Sequence, residues 1–179
     1  MSELVISPEY KELMLKTHEL NAGWGVGGKR HYNPIVDLIK SRGFKTVLDY
    51  GCGQGVIGKT LLAQKVLRPD QLQMYDPGMP GLGIEPRPAD LVISTDVMEH
   101  IEPALLDNVL AHVQRLATRM AYLHIAVGPA VKILPDGRNA HLIIQPDSWW
   151  HAKLKEYWPH VVMMFGREGL INPTFLCEP

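Results

Sequence analysis

Short apolar runs and helix-spaced apolar residues take turns along this chain. Thr46-Val47-Leu48, Leu72 to Tyr75, Leu91 to Ser94 and Met120 to Val127 each read as a short buried strand. Between them the spacing becomes helical. Ile35, Leu38 and Ile39 share a face over Pro34 to Ser41, and Ile57, Leu61, Leu62 and Val66 share one over Val56 to Leu67. Leu106, Leu110, Val113 and Ala117 recur in the same way after Pro103. Ser7-Pro8-Glu9 is a helix start, with a serine cap, proline in the first turn and an acid at the positive end of the dipole, and that helix runs to about His18. Pro146 opens a last helix through Trp149, Trp150 and Leu154. His160 to Phe165 and Leu170 to Leu176 flank Gly166-Arg167-Glu168-Gly169, the pattern of a closing antiparallel hairpin, in which Pro173 marks an irregular or edge position.

Two segments break the rhythm. Asn21 to Tyr32 holds four glycines around Trp24, too many for regular structure. It is either a linker whose Trp24 plugs the core or a lid, with Trp24, His31 and Tyr32 as its contacts. Pro77 to Pro88 carries four prolines and three glycines, which forbids a helix.

The densest chemistry lies at Asp49-Tyr50-Gly51-Cys52-Gly53-Gln54-Gly55, between a strand and a helix. Strand, glycine turn, helix is the ligand-binding corner of an open α/β sheet. Alternate glycines bend the chain sharply and let a ligand lie on bare backbone. The pattern is GxGxG, not GxGxxG, and Asp49 would repel a pyrophosphate, so a neutral or cationic nucleoside suits this corner better.

Val47 to Gly55 closely resembles motif I of class I S-adenosylmethionine-dependent methyltransferases. Tyr75-Asp76, 21 positions after Gly55, and Ala89 to Ile101, which contains Asp96-Val97-Met98-Glu99-His100-Ile101, match the family's later motifs in order. The likeness covers Thr46 to Val127 well and the two ends loosely. It implies a Rossmann-like α/β domain with a mostly parallel sheet and an antiparallel C-terminal hairpin. The region after the second strand is reduced, because only 13 residues separate Asp76 from Asp90, where the family places a helix and a third strand. The expected organisation is an N-terminal helix and glycine-rich lid over 1–33, then one methyltransferase domain over 34–179.

The resemblance implies S-adenosyl-L-methionine as cofactor. Asp49 and Gly51 would flank its methionine end, Cys52, Gly53 and Gly55 would allow close approach, and Asp76 would accept the ribose hydroxyls, beside Pro77. Thr95, Asp96 and Val97, at the rim of the family's fourth strand, and Trp24 from the lid complete the cofactor set. Leu82, Ile84 or backbone groups would take over the adenine contacts. Methyl transfer needs alignment and removal of a proton. The candidates for that work are His141, the first choice as base because imidazole titrates near neutrality, with His100 and Glu99. Arg138, able to clamp an anionic group, Asn139 and one indole, Trp149, are the acceptor candidates. His124 reads as a buried structural residue.

Composition narrows the function further. A net charge of −1 offers no electrostatic case for a long nucleic-acid footprint. Two cysteines, Cys52 and Cys177, make neither a disulfide framework nor a metal pair. No signal peptide or bilayer-length apolar run is visible, so the expectation is a soluble cytoplasmic protein. The acceptor is then a small-molecule, sugar or nucleotide-like compound methylated at oxygen or nitrogen, with no resident metal. Two other readings stay open. Asp-x-x-Glu-His at 96–100 resembles the Glu-x-x-Glu-His of small-RNA 2′-O-methyltransferases, in which Asp96, Glu99 and His100 would hold a metal together with His141 or His124. Alternatively the domain binds the cofactor as a regulatory module and has no turnover.

Overall fold

The computed structural model describes residues 4–21, 23–164 and 172–179. Its strands are β1 (Val47–Tyr50), β2 (Leu72–Tyr75), β3 (Ala89–Thr95), β4 (Ala117–His124), β5 (His160–Met164) and β6 (Thr174–Glu178). They form a single sheet in the order β2-β1-β3-β4-β6-β5. β1 runs parallel to β2 and β3, and β3 parallel to β4; β6 is antiparallel to both β4 and β5. Helices α2 (Tyr32–Arg42) and α3 (Val56–Ala63) belong to the chain before β2, and α4 (Leu106–Leu116) and α5 (Asp147–Leu154) to the chain after β3.

The period-two pattern of the strands divides the core into two layers. Val47, Leu91, Ile93, Met120 and Tyr122 pack with Ile35, Ile39, Ile57 and Leu61 from α2 and α3. Leu48, Val92, Ala121 and Leu123 face the other way, onto Leu110, Val113, Leu116, Trp150 and Trp158. Both faces of the parallel strands are therefore covered, which is why these strands read as unbroken apolar runs.

Several boundaries differ from the sequence pattern. α3 stops at Ala63, and Lys65, at φ 55°, turns the chain out of the helix before Val66. A 3-10 turn, Pro103–Leu105, precedes α4, and Ala117 is already in β4. Pro173 lies just before β6, and β6 is an interior strand with β5 at the edge. The turn Gly166-Arg167-Glu168-Gly169 lies outside the described residues.

The reduced region behaves as its composition requires. No strand or helix stands between Tyr75 and Ala89, so β2 forms the other edge of the sheet. The loop is tied along that edge: Gln73 exchanges two hydrogen bonds with the backbone of Arg87, at 2.8 and 3.0 Å. Glu85 meets His112 and Arg115 of α4, each at 3.1 Å. These ties occupy an edge that would otherwise invite strand pairing.

Helix α1 (Pro8–Leu20) reaches the turn that follows β3, where the Tyr10 hydroxyl donates to His100 O at 2.9 Å. Ser7 caps it, its Oγ accepting from the Tyr10 amide. Tyr10 and Met14 pack with Trp24, Leu134 and Ala140 in a third apolar cluster, which ties the N-terminal segment to the loop after β4.

Candidate functional site

The glycine corner forms as its sequence demands. Gly51, Gly53 and Gly55 adopt φ of 70°, 51° and 70°, the left-handed region that costs other residues strain. A Cβ on Gly51 would lie 2.5 Å from Val97, so the turn after β1 and the turn after β3 are packed backbone to side chain. The amide of Gly58, in the first turn of α3, donates to Asp49 Oδ2 at 3.2 Å. Asp49 thereby caps α3 from within the sheet. Burial pushes its carboxyl up to about 7, against the pull of that hydrogen bond. Asp76, at the end of β2, accepts from Gly53 N at 2.8 Å and from Gly78 N at 2.9 Å, which closes the corner from the next strand. Its carboxyl is also held above the usual range by burial.

The segment after α1 folds down onto this corner. Gln54 donates from its backbone to Gly25 O at 3.3 Å and from its side chain to Trp24 O at 2.9 Å. Gly25 and Gly53 pack glycine on glycine: a Cβ on either would meet the other's Cα at about 3 Å. Lys132 fastens the segment from the far side, donating to Gly23 O at 2.8 Å with its ammonium 4.9 Å from the Trp24 ring centre. Trp24 is buried in the third cluster and lines the cleft as well, so the plug and lid readings describe the same residue.

Beneath this cover lies a cavity of about 610 Å³. Of the anticipated cofactor residues, Asp49, Gly51, Cys52, Gly53 and Asp76 line it, as do Pro77, Thr95, Asp96, Val97 and Trp24. Gly55 instead supports the corner as the residue before α3. Leu82 and Ile84 are not among the lining residues, and Ile84 is 82 % exposed; Pro77 and Gly78 represent that loop in the cavity.

At the other side of the cavity stand His100 and His141, their rings perpendicular and 4.9 Å apart. Each gives one nitrogen to a carbonyl: His100 Nδ1 to Ala140 O at 2.7 Å and His141 Nδ1 to Gly128 O at 2.6 Å. A carbonyl only accepts, so each Nδ1 carries a hydrogen, and the neutral tautomer this fixes has its lone pair on Nε2. Burial, with help from His141, holds the His100 imidazolium down at about 4, so that ring is neutral at ordinary pH. Glu99 lies behind them, fully buried, with Oε1 accepting from Ala126 N at 2.9 Å and Oε2 without a hydrogen-bond partner among the described residues. Burial raises its carboxyl to about 8. One ligand-type atom from each of Glu99, His100 and His141 lies within 4.8 Å of the others.

Asp96 does not join that trio. Its φ of 56° turns it toward Arg30, His31 and His124. The sequence grouped Asp96 with Glu99 and His100 because they fall within five positions, but the left-handed residue directs their side chains into separate clusters.

No protein-family model matches the chain, and no curated protein matches it. Solved structures do. A Burkholderia thailandensis 1,6-didemethyltoxoflavin-N1-methyltransferase, bound to 1,6-didemethyltoxoflavin and S-adenosylhomocysteine, aligns with a TM-score of 0.62 at 14% identity, over 99% of this chain and 92% of its own. The methyltransferase domain of a bacterial Hen1 aligns at 0.60 and 14% identity, over 85% of this chain and 99% of its own. Human N-acetylserotonin methyltransferase, in complex with S-adenosylmethionine, aligns at 0.59 and 11% identity, over 94% of this chain and 56% of its own. The chain has the class I methyltransferase fold.

Within that fold, the acceptor candidates sit apart from the cavity. Arg138 is paired with Asp136, at 2.6 Å, over the ring of Tyr10. Asn139 organises the loop after β4, accepting from the amides of Ala130 and His141 and donating to Ala130 O. Trp149 packs against the core beside Pro103 and Ile143, in a separate shallow groove, while Trp150 is wholly buried. The sequence reading overlooked Tyr10, Met14, His18, Arg30 and Lys132 as cavity residues. For the first three a signal existed: a spacing of four places them on one face of α1. Cys52, its thiol pushed far up by burial, is a filler and no nucleophile.

Proposed function

We propose that this chain is an S-adenosylmethionine-dependent methyltransferase acting on an oxygen or nitrogen of a small or medium-sized polar acceptor. The observation that carries the reading is the pairing, in one cavity, of a glycine corner braced by Asp49 and Asp76 with the imidazole of His141, whose Nδ1 is committed to a backbone carbonyl. When bound, S-adenosylmethionine supplies an electrophilic methyl group on a sulfonium. The corner fits such a group: two acids accompany a cationic ligand, and the glycines leave the backbone bare on that side. Asp49 would hold the ammonium of the methionine moiety, and Asp76, whose oxygens have spare lone pairs beyond the two amides, would receive the ribose hydroxyls.

His141 is the base. Its Nδ1–H is committed to Gly128, so Nε2 takes the proton from the acceptor, and the carbonyl of Gly128 steadies the imidazolium that forms. His100, held neutral, orients the acceptor beside it without competing for that proton. The segment 1–33 acts as the lid: α1 supplies Tyr10, Met14 and His18 to the cavity wall, and Trp24–Gly25 closes on the corner.

Calorimetric titration of S-adenosylhomocysteine tests the cofactor site. Micromolar binding that weakens at least tenfold in Asp76→Ala supports it; absence of binding to the intact chain removes the proposal.

A second reading rests on the trio Glu99, His100 and His141, which has metal-ligand chemistry and an unpartnered Glu99 oxygen. It makes the chain a metal-assisted RNA 2′-O-methyltransferase, in which those three side chains hold a divalent ion beside the acceptor hydroxyl. Turnover that survives chelation excludes it. Turnover of any acceptor excludes a purely regulatory cofactor-binding role.

A further inference from the structure

The cavity wall formed by Asp96 and Arg30 hides a second cluster that the methyl-transfer reading does not use. His31, from the 3-10 turn Gly27–His31 of the covering segment, and His124, the last residue of β4, bring their ring centres to 4.2 Å with the planes tilted by 52°, and both are buried. Asp96 reaches between them, with Oδ1 3.6 Å from His124 Nε2 and Oδ2 4.0 Å from His31 Nε2. Ligand-type atoms of the three residues all lie within 4.8 Å of one another.

The hydrogen bonding leaves His124 Nε2 and Asp96 Oδ1 open, and Arg30 alone holds the remaining ligand atom, His31 Nε2. His124 engages Thr174 Oγ1 through Nδ1 at 3.0 Å, while among the described residues neither its buried Nε2 nor Asp96 Oδ1, which it faces, has a hydrogen-bond partner. His31 Nε2 accepts from Arg30 Nε at 3.2 Å, so its lone pair becomes available to an ion when Arg30 moves aside. Burial holds both imidazoles far below their ordinary protonation range, His31 at about 3 and His124 at about 4. A buried polar nitrogen and a buried carboxylate oxygen left facing each other are costly unless something satisfies them. What stands there is the Arg30 guanidinium, 2.6 Å from Asp96 Oδ2 and half exposed at the cleft. It supplies positive charge from one side only and reaches neither Asp96 Oδ1 nor His124.

The geometry points to a divalent transition-metal site made by His31, Asp96 and His124, with Arg30 as the displaceable cation at its mouth. Two imidazole nitrogens and one carboxylate suit zinc, cobalt, nickel or ferrous ions, with a coordination position left open toward the cleft. The ligands come from the N-terminal cover and from the ends of two central strands. An ion there would pin the cover to the sheet.

The site is separable from the Glu99–His100–His141 trio by mutation, and its test needs neither cofactor nor acceptor. The protein is stripped with a chelator and titrated with Co²⁺ in a Glu99→Gln/His141→Ala background, where the other trio is disabled. The expected result is one equivalent bound, with visible ligand-field absorption and a melting temperature raised by about 5 °C or more at a hundredfold excess over Kd. Adding Arg30→Ala tightens binding about tenfold, because the competing cation is gone. Adding Asp96→Asn or His124→Gln abolishes the absorption and the thermal shift. His141→Ala alone is the background if the double variant fails to fold, judged by circular dichroism. No binding in the background with or without Arg30→Ala overturns the proposal, as does binding that survives both Asp96→Asn and His124→Gln.

Discussion

At neutral pH the carboxyl of Asp49 stands between its two charge states, because burial has raised it to about 7 while one amide of α3 holds it partly ionised. A cationic ammonium beside it favours the ionised form, so binding at lower pH must first remove a proton. The affinity for S-adenosylhomocysteine should therefore rise with pH up to about 7 and fall about tenfold per pH unit below that value. Calorimetry across that range checks this, and Asp49→Asn should flatten the profile. His141 is expected to act differently. His141→Ala should leave cofactor affinity unchanged and lower kcat by about a hundredfold or more, the usual span for a lost general base. Equal loss in both quantities would place His141 in binding instead. Both residues were visible in the chain; the charge state of Asp49 was not, since its shift comes from burial in the folded molecule.

Among the elements, the cover over the glycine corner has two kinds of fastening. One is contact with the corner itself, Gly25 against Gly53 with the Gln54 hydrogen bonds to Trp24 and Gly25, and the other is Lys132 against Gly23 and Trp24. Lys132→Met removes an exposed ammonium contact and little buried surface. Its cost to global stability should be small, about 1 kcal/mol or less, while amide exchange at Trp24 and Gly25 should accelerate. Unchanged exchange there would show that the glycine packing and the Gln54 hydrogen bonds hold the cover without Lys132. Gly51→Ala acts on the corner itself. With φ at 70° and Val97 in the way, it should destabilise the fold by about 1–3 kcal/mol, read from the denaturant midpoint. The corner was legible as an element because its glycines stand at alternate positions next to a strand. The cover was legible only as a choice between plug and lid, because glycine content says where a chain bends and not what it bends onto.

The whole molecule carries two opposed sets of buried ionisable groups. His31, His100 and His124 have folded values of about 3, 4 and 4, below the ordinary imidazole range. Between those values and about 6.5 the unfolded chain binds more protons, so their contribution raises stability as pH rises and is lost as pH falls. Asp49 and Glu99, raised to about 7 and about 8, act in the opposite sense: the folded chain holds their protons longer, so stability falls as pH climbs from their unfolded values to about 8. The histidines outnumber the acids up to about 6.5 and stop contributing above it. Stability should therefore peak near pH 6.5 and decline toward pH 8. Urea midpoints against pH measure this, and Glu99→Gln should remove most of the alkaline decline; a profile still rising at pH 8 contradicts the assignment.

Patterning alone determined much of this protein: the parallel core strands, the helices on both faces, the glycine corner and the missing third strand. These depend on contacts within a few residues, or on a period that a buried face imposes, and so they are written locally. Asp76 was legible too, since a strand end at the right distance places it beside the corner. Tertiary structure alone decided how the polar residues were grouped. Asp96 and Glu99, three positions apart, belong to different clusters because one left-handed residue turns the chain between them. His31, Asp96 and His124 meet only because the cover, β3 and β4 converge at one end of the sheet. Arg138 and Asn139 sit next to His141 in sequence yet serve the loop, because their hydrogen-bonding capacity is spent on its turns. A sequence shows which groups can do chemistry; burial and the crossing of distant segments choose which of them face one another.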